Sequence, residues 1–71
     1  MKAYFCIFWQ GGHMATFKPT IYRTLAPKMV FIRHWAKKRG HEIQNFKDFQ
    51  TAKAFAHKFN KTIKEFPINL L

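Results

Sequence analysis

Catalysis by this 71-residue chain would have to draw on three carboxylates, Glu42, Asp48 and Glu65, or on Cys6 with His13, His34, His41 and His57. Paired-carboxylate chemistry needs two acids held together across a substrate. Asp48 stands just ahead of an apolar-periodic run and reads as a helix cap instead. A structural zinc site needs four converging donors, with pairs closely spaced along the chain, and no His or Cys pair here has that spacing. A Cys6–histidine nucleophile would need an exposed thiolate, whereas Cys6 lies in the apolar run KAYFCIFWQ and reads as a small buried hydrophobe. Gly11-Gly12-His13 lacks the pattern of a phosphate-binding loop. No enzymatic activity, metal or cofactor is expected.

The chemistry that the chain does offer is attraction of polyanions. Thirteen Lys and Arg against three acids give a formal charge of +10, which lowers its electrostatic energy on nucleic acid, on an anionic membrane surface or on an acidic protein patch. A block of three consecutive cations, Lys37, Lys38 and Arg39, lies in FIRHWAKKRGHEIQNF, residues 31 to 46. Read as a strand, this stretch sets Phe31, Arg33, Trp35 and Lys37 on one face, in alternating aromatic and basic order, with Lys38 and Arg39 at the tip of a turn. Cations neutralise phosphates and release counterions, while rings stack on bases. The competing reading places Phe31 and Trp35 in a small core and leaves Arg33 and Lys37 merely solvated. A second cationic group, Lys53, Lys58 and Lys61, is expected on the outer face of a helix.

The elements that must position these residues read as one domain, 1–71, without repeats, linkers or low-complexity tracts. Residues 2 to 10 are β-rich and apolar on both faces, which predicts a central strand. Gly11-Gly12 suits a hairpin turn, and MATFKPTIYRT is the second arm, with Pro19 marking an edge or bulge. The stretch 27 to 46 fits a second hairpin that reverses near Arg39-Gly40. The alternative is a helix over 27–39, with Pro27 in its first turn and Gly40 as its left-handed cap, which gives a ββαβα order. From residue 48 to 66, Phe49, Ala52, Ala56, Phe59, Ile63 and Phe66 recur every three or four positions, predicting an amphipathic helix capped by Asp48 and ended by Pro67. Lys53, His57, Lys58, Lys61 and Lys64 fall on its opposite side. The expected fold is α+β, an antiparallel sheet of three to four strands packed on one C-terminal amphipathic helix.

Lys2 and the apolar run after it faintly suggest a secretory signal, but a small-residue cleavage site is missing and a strand is the better reading. No segment approaches the roughly 20 apolar residues of a membrane span. The lone cysteine fits a reducing compartment, and a cytoplasmic protein is expected.

The run GHEIQNFKDFQTAKAFAHKF, residues 40 to 59, resembles the arm-type N-terminal DNA-binding domain of tyrosine recombinases. There a glycine turn leads into a last strand that an aromatic closes, a short capping residue follows, and the helix opens with alanines and an aromatic. Here those positions are Gly40, Phe46, Asp48, Ala52, Ala54 and Phe55. The resemblance implies three antiparallel strands that pack on the helix with one face and contact DNA with the other, through Arg33, Trp35 and Lys37, with Lys38 and Arg39 at the tip. The extra N-terminal apolar strand departs from that pattern. No recombinase catalytic domain follows, so a freestanding or adapted module is expected.

The leading expectation is a small basic protein that contacts the nucleic-acid backbone, DNA ahead of RNA, with modest sequence preference. The alternative is a phage-type regulator or inhibitor that binds an acidic surface on a larger enzyme or nucleic-acid machine, anchored by Phe31 and Trp35. A membrane-surface helix inserting Phe49, Phe59 and Ile63 is a third reading, though those residues are more economically used to hold the helix on the sheet.

Overall fold

Apolar side chains on both faces make Lys2–Phe8 (β1) an interior strand. In a computed structural model, which describes residues 1–9 and 19–71, β1 lies between Thr20–Leu25 (β2) and Glu42–Asn45 (β3) and is antiparallel to both. Ile63–Glu65 (β4) pairs in parallel with the far side of β2, giving a four-stranded mixed sheet of order β3-β1-β2-β4. The expected α+β class and central first strand are present. The expected turn at Gly11-Gly12 lies outside the described residues. Pro19 is buried immediately before β2, an inner strand, so it marks a strand start and not an edge.

Among the described residues there are two α-helices, not one. Residues 27 to 46 do not make a hairpin: Met29–Lys38 is a helix (α1), and only Glu42–Asn45 is extended. Val30, Ile32, His34 and Ala36 satisfy a period of two, but Met29, Ile32, Trp35 and Ala36 satisfy 3.6, and these four are the buried ones. Pro27 sits in the 3-10 turn Ala26–Lys28 that leads into α1. Gly40, at φ +72°, ends α1 in a Schellman motif, in which His41 N donates to Ala36 O (2.9 Å) and Gly40 N to Lys37 O (3.2 Å).

The second helix, Phe49–Lys58 (α2), is shorter than the 48 to 66 stripe predicts. Asp48 caps it as expected, its Oδ1 accepting from Thr51 N and Thr51 Oγ1, both at 2.8 Å. Pro67 does not end it. Asn60, at φ +54°, takes the place that Gly40 holds in α1, with Lys61 N donating to Ala56 O (2.8 Å) and Asn60 N to His57 O (3.1 Å). Ile63 and Phe66, read as the end of the helical stripe, belong to β4 and to the residue that follows it.

Successive β1 residues face opposite ways, and the two helices use that alternation. Phe5 and Ile7 pack with Tyr22, Ile32, Trp35, Ala36 and Phe66 under α1. Cys6 and Phe8 pack with Ile21 and Ala56 under α2, beside the half-buried Phe55 and Ile63. Both faces of the sheet are therefore covered. Cations repel one another in so basic a chain, and the dense aromatic cluster Phe5, Tyr22, Trp35 and Phe66, with half-buried Trp9 beside it, provides the opposing apolar burial.

Candidate nucleic-acid interface

Strand direction decides which cations meet. The chain leaves β2 at Leu25, opposite Lys2, climbs through α1, and enters β3 at Glu42, opposite Phe8. It leaves β3 at Asn45, opposite Phe5, starts α2 with the Phe49 ring 5.5 Å from that of Tyr4, and returns to Ile63, opposite Ile21. Both helices thus run in the direction of β1 and end at the same edge of the sandwich, on opposite sides of the sheet.

That end carries cations from both helices, one group on each side of the sheet. Lys37 and Lys38 lie in the last turn of α1, with Arg39 at its cap; Lys58 lies in the last turn of α2, and Lys61 just beyond its cap. All are exposed. Cations here complement the negative ends of both helix dipoles, each by about 0.3–1 kcal/mol, so part of the placement is structural. Lys53 is exposed in the middle of α2, and Arg33 lies one turn before Lys37 on α1.

Few carboxylates oppose this charge. Glu65 is engaged by Arg23 Nε and by Lys2 Nζ (3.6 Å), which holds its carboxyl below the ordinary range, the Arg23 hydrogen bond being the larger cause. The Thr51 backbone amide, bonded to the Asp48 carboxylate, likewise depresses its pKa. Glu42 opens β3 in a shallow cleft with Arg33 and Lys37 and offsets part of their charge. Among the described residues, no carboxylate lies within 4 Å of the Lys37, Lys38, Arg39, Lys58 or Lys61 side-chain nitrogens.

Trp35 corrects the sequence-based site. It does not share an exposed strand face with Phe31, Arg33 and Lys37; the segment is helical, and Trp35 points into the core at 8% exposure. Its ring meets those of Trp9 (6.1 Å), His41 (5.4 Å) and Phe66 (5.5 Å). It also supports the cationic end from below: the Arg39 guanidinium sits 5.2 Å from the ring centroid and donates from Nη1 to Trp35 O (3.4 Å). The strand reading therefore found a neighbour of the cations but not a stacking platform. Nor is there an open sheet face of the kind that the arm-type domain implies, because α1 covers it, although the local order of Gly40 turn, strand, Asp48 cap and helix is present.

The catalytic alternatives gain nothing from the geometry. Burial pushes the Cys6 thiol up to about 11, so it stays protonated at neutral pH. Among the described residues, no three His, Cys, Asp or Glu side chains converge as metal ligands, and no helix is long and apolar enough to cross a membrane. What sequence reasoning missed is that both helices end at the same end of the sandwich, on opposite sides of the sheet, which depends on the order and direction of strands. It also missed the exposure of Val30 beside Phe31, for which the 3.6 period of Met29, Ile32 and Ala36 was an available signal. Compared with known protein families, curated proteins and solved structures, the chain matches none.

Proposed function

We propose that this is a non-catalytic nucleic-acid-binding protein that holds the phosphate backbone at the end of the sandwich where α1 and α2 terminate. The observation that carries the reading is that Lys37, Lys38, Arg39, Lys58 and Lys61 all lie exposed at that one end, on the two sides of the sheet, with no carboxylate within 4 Å among the described residues. Charge without a fixed base-reading fork supports modest sequence preference, since phosphate contacts position a protein but carry little sequence information. With Trp35 in the core, the alternating aromatic and basic face on which bases would stack is not formed, which favours duplex over single strands. The likeness of residues 40 to 59 to arm-type domains favours DNA over RNA, though through a different surface. The lone buried thiol suits a reducing, cytoplasmic setting.

A fluorescence-anisotropy titration of labelled duplex DNA, single-stranded DNA and RNA at several salt concentrations tests this. Five engaged phosphates give a slope of about −4.5 in log affinity against log salt for duplex. Replacing Lys58 and Lys61 together by Ala lowers that slope by about 2. Folded protein that binds none of the three, or binds them independently of salt, overturns the proposal.

A further inference from the structure

The outward side of α1 carries a feature that phosphate binding does not use. Val30 and Phe31 are 62% and 60% exposed, one helical step from the buried Met29 and Ile32. The 3-10 turn Ile68–Leu70 brings Leu70 and Leu71 to the same place, and together they line an open groove of about 770 Å³. Along α1 the groove changes character. Val30 and Phe31 form its apolar part, Arg33, Lys37, Lys38 and Arg39 its cationic part, and His34 lies between them. No acidic side chain is among its lining residues. A monomeric protein has no folding reason to leave Phe and Val exposed together beside two leucines, and such patches mark interaction surfaces.

We propose that this groove docks an acidic amphipathic helix of a protein partner, whose apolar side chains enter between Phe31 and Leu70 while its carboxylates face Arg33, Lys37, Lys38 and Arg39. Complementarity of charge selects this occupant. A second copy of the chain would set one +10 body against another, and a two-fold pairing would bring identical cationic rims together. Nucleic acid satisfies the cations but leaves the apolar floor unused. The span from Val30 to Lys38 is eight residue steps, or about 12 Å at 1.5 Å per residue, long enough for two turns of a partner helix with anchors at i, i+4 and i+7. The inference does not rest on DNA binding, because the floor that defines it, Val30, Phe31, Leu70 and Leu71, lies apart from Lys58 and Lys61 on the other side of the sheet.

The test uses the full chain and a synthetic 16-residue helical peptide with Leu at i, i+4 and i+7 flanked by Glu, alongside the same peptide with Lys for Glu and one with Ala for Leu. Isothermal titration at moderate salt is expected to detect the acidic leucine peptide and neither control. Phe31→Ala with Leu70→Ala, two exposed positions, should weaken that peptide tenfold or more and change duplex DNA affinity less than twofold. Lys58→Ala with Lys61→Ala should do the reverse, so loss of the DNA reading leaves the groove reading standing. The proposal is overturned if the acidic peptide fails to bind, or if its binding ignores the Phe31 and Leu70 changes. It is equally overturned if those changes instead abolish binding to vesicles of phosphatidylserine and phosphatidylcholine, or a dimer seen by sedimentation, while the peptide is inert.

Discussion

Replacing Trp35 by Ala separates the two roles that this residue could have. As an exposed stacking platform it could be truncated at little cost to the fold, with the loss appearing in nucleic-acid affinity. As a core residue, 8% exposed, with ring partners in Trp9, His41 and Phe66, it cannot. Truncating a buried Trp costs about 3–5 kcal/mol, and a domain of this size has a total stability of about 3–5 kcal/mol. The two figures are equal within their spread, so Trp35→Ala should leave about half of the molecules unfolded at 25 °C without denaturant. Phe31→Ala, four residues away on the same helix but 60% exposed, should stay within about 0.5 kcal/mol of the parent. Urea titrations followed by far-UV circular dichroism read both, with Phe31→Ala as the internal control. A Trp35→Ala protein that stays folded with a midpoint close to the parent's would refute the helical placement of residues 29–38 and return Trp35 to an exposed strand face.

Two further outcomes follow from titratable groups. Asp48 and Glu65 both have depressed carboxyl pKa values in the folded chain, so the stability they confer is present above the ordinary carboxylate range, near pH 4, and is lost as pH falls through their folded values. Thermal melts should therefore drop on acidification below about pH 4, and Asp48→Asn with Glu65→Gln should flatten that drop; an unchanged acid profile in the double variant would count against both contacts. Cys6 has the opposite sign. Its folded pKa is raised to about 11, so the unfolded chain ionises first and stability declines as pH rises from about 9 through 11. At pH 8 its labelling by a thiol reagent should be no faster than global unfolding, and rapid labelling of folded protein would contradict its burial in β1.

How much could be read directly from the chain differed from element to element, for physical reasons. Strand β1 was legible because apolar residues on both faces leave few solutions except an interior position. The Asp48 cap was legible because capping is local chemistry between residues three apart. Residues 29 to 38 were not, since their apolar positions satisfy both periods and only packing on Phe5, Ile7 and Tyr22 chooses the helix. Strand β4 has three residues, too few for a pattern, and Phe59, Ile63 and Phe66 continue the helical spacing by coincidence. Asn60 was the available stop signal, and its left-handed conformation is one that Asn adopts more readily than most residues. At the site, residue type revealed the cations, but their placement at one end of the sandwich depends on strand order, a non-local property. Trp35 was misread with the strand.

The sheet order also ranks the parts of the molecule by how readily they come apart. β1 and β2 are paired on both sides, whereas β4 is an edge strand of three residues hydrogen-bonded only to β2. Beyond β4 the chain is seated by Phe66, buried against Phe5, Tyr22 and Trp35, before it reaches Leu70 and Leu71. Local opening in such a chain starts from short edges, with free energies well below that of global unfolding. One excursion, unseating Phe66 and peeling β4 away, removes the leucine wall of the α1 groove and leaves β1, β2 and the helix-end cations in place. A ligand in the groove must hold that wall closed to bind. Its affinity is therefore reduced by whatever fraction of time the wall spends open, and its arrival would register as slowed amide exchange in β4, a strand it never touches.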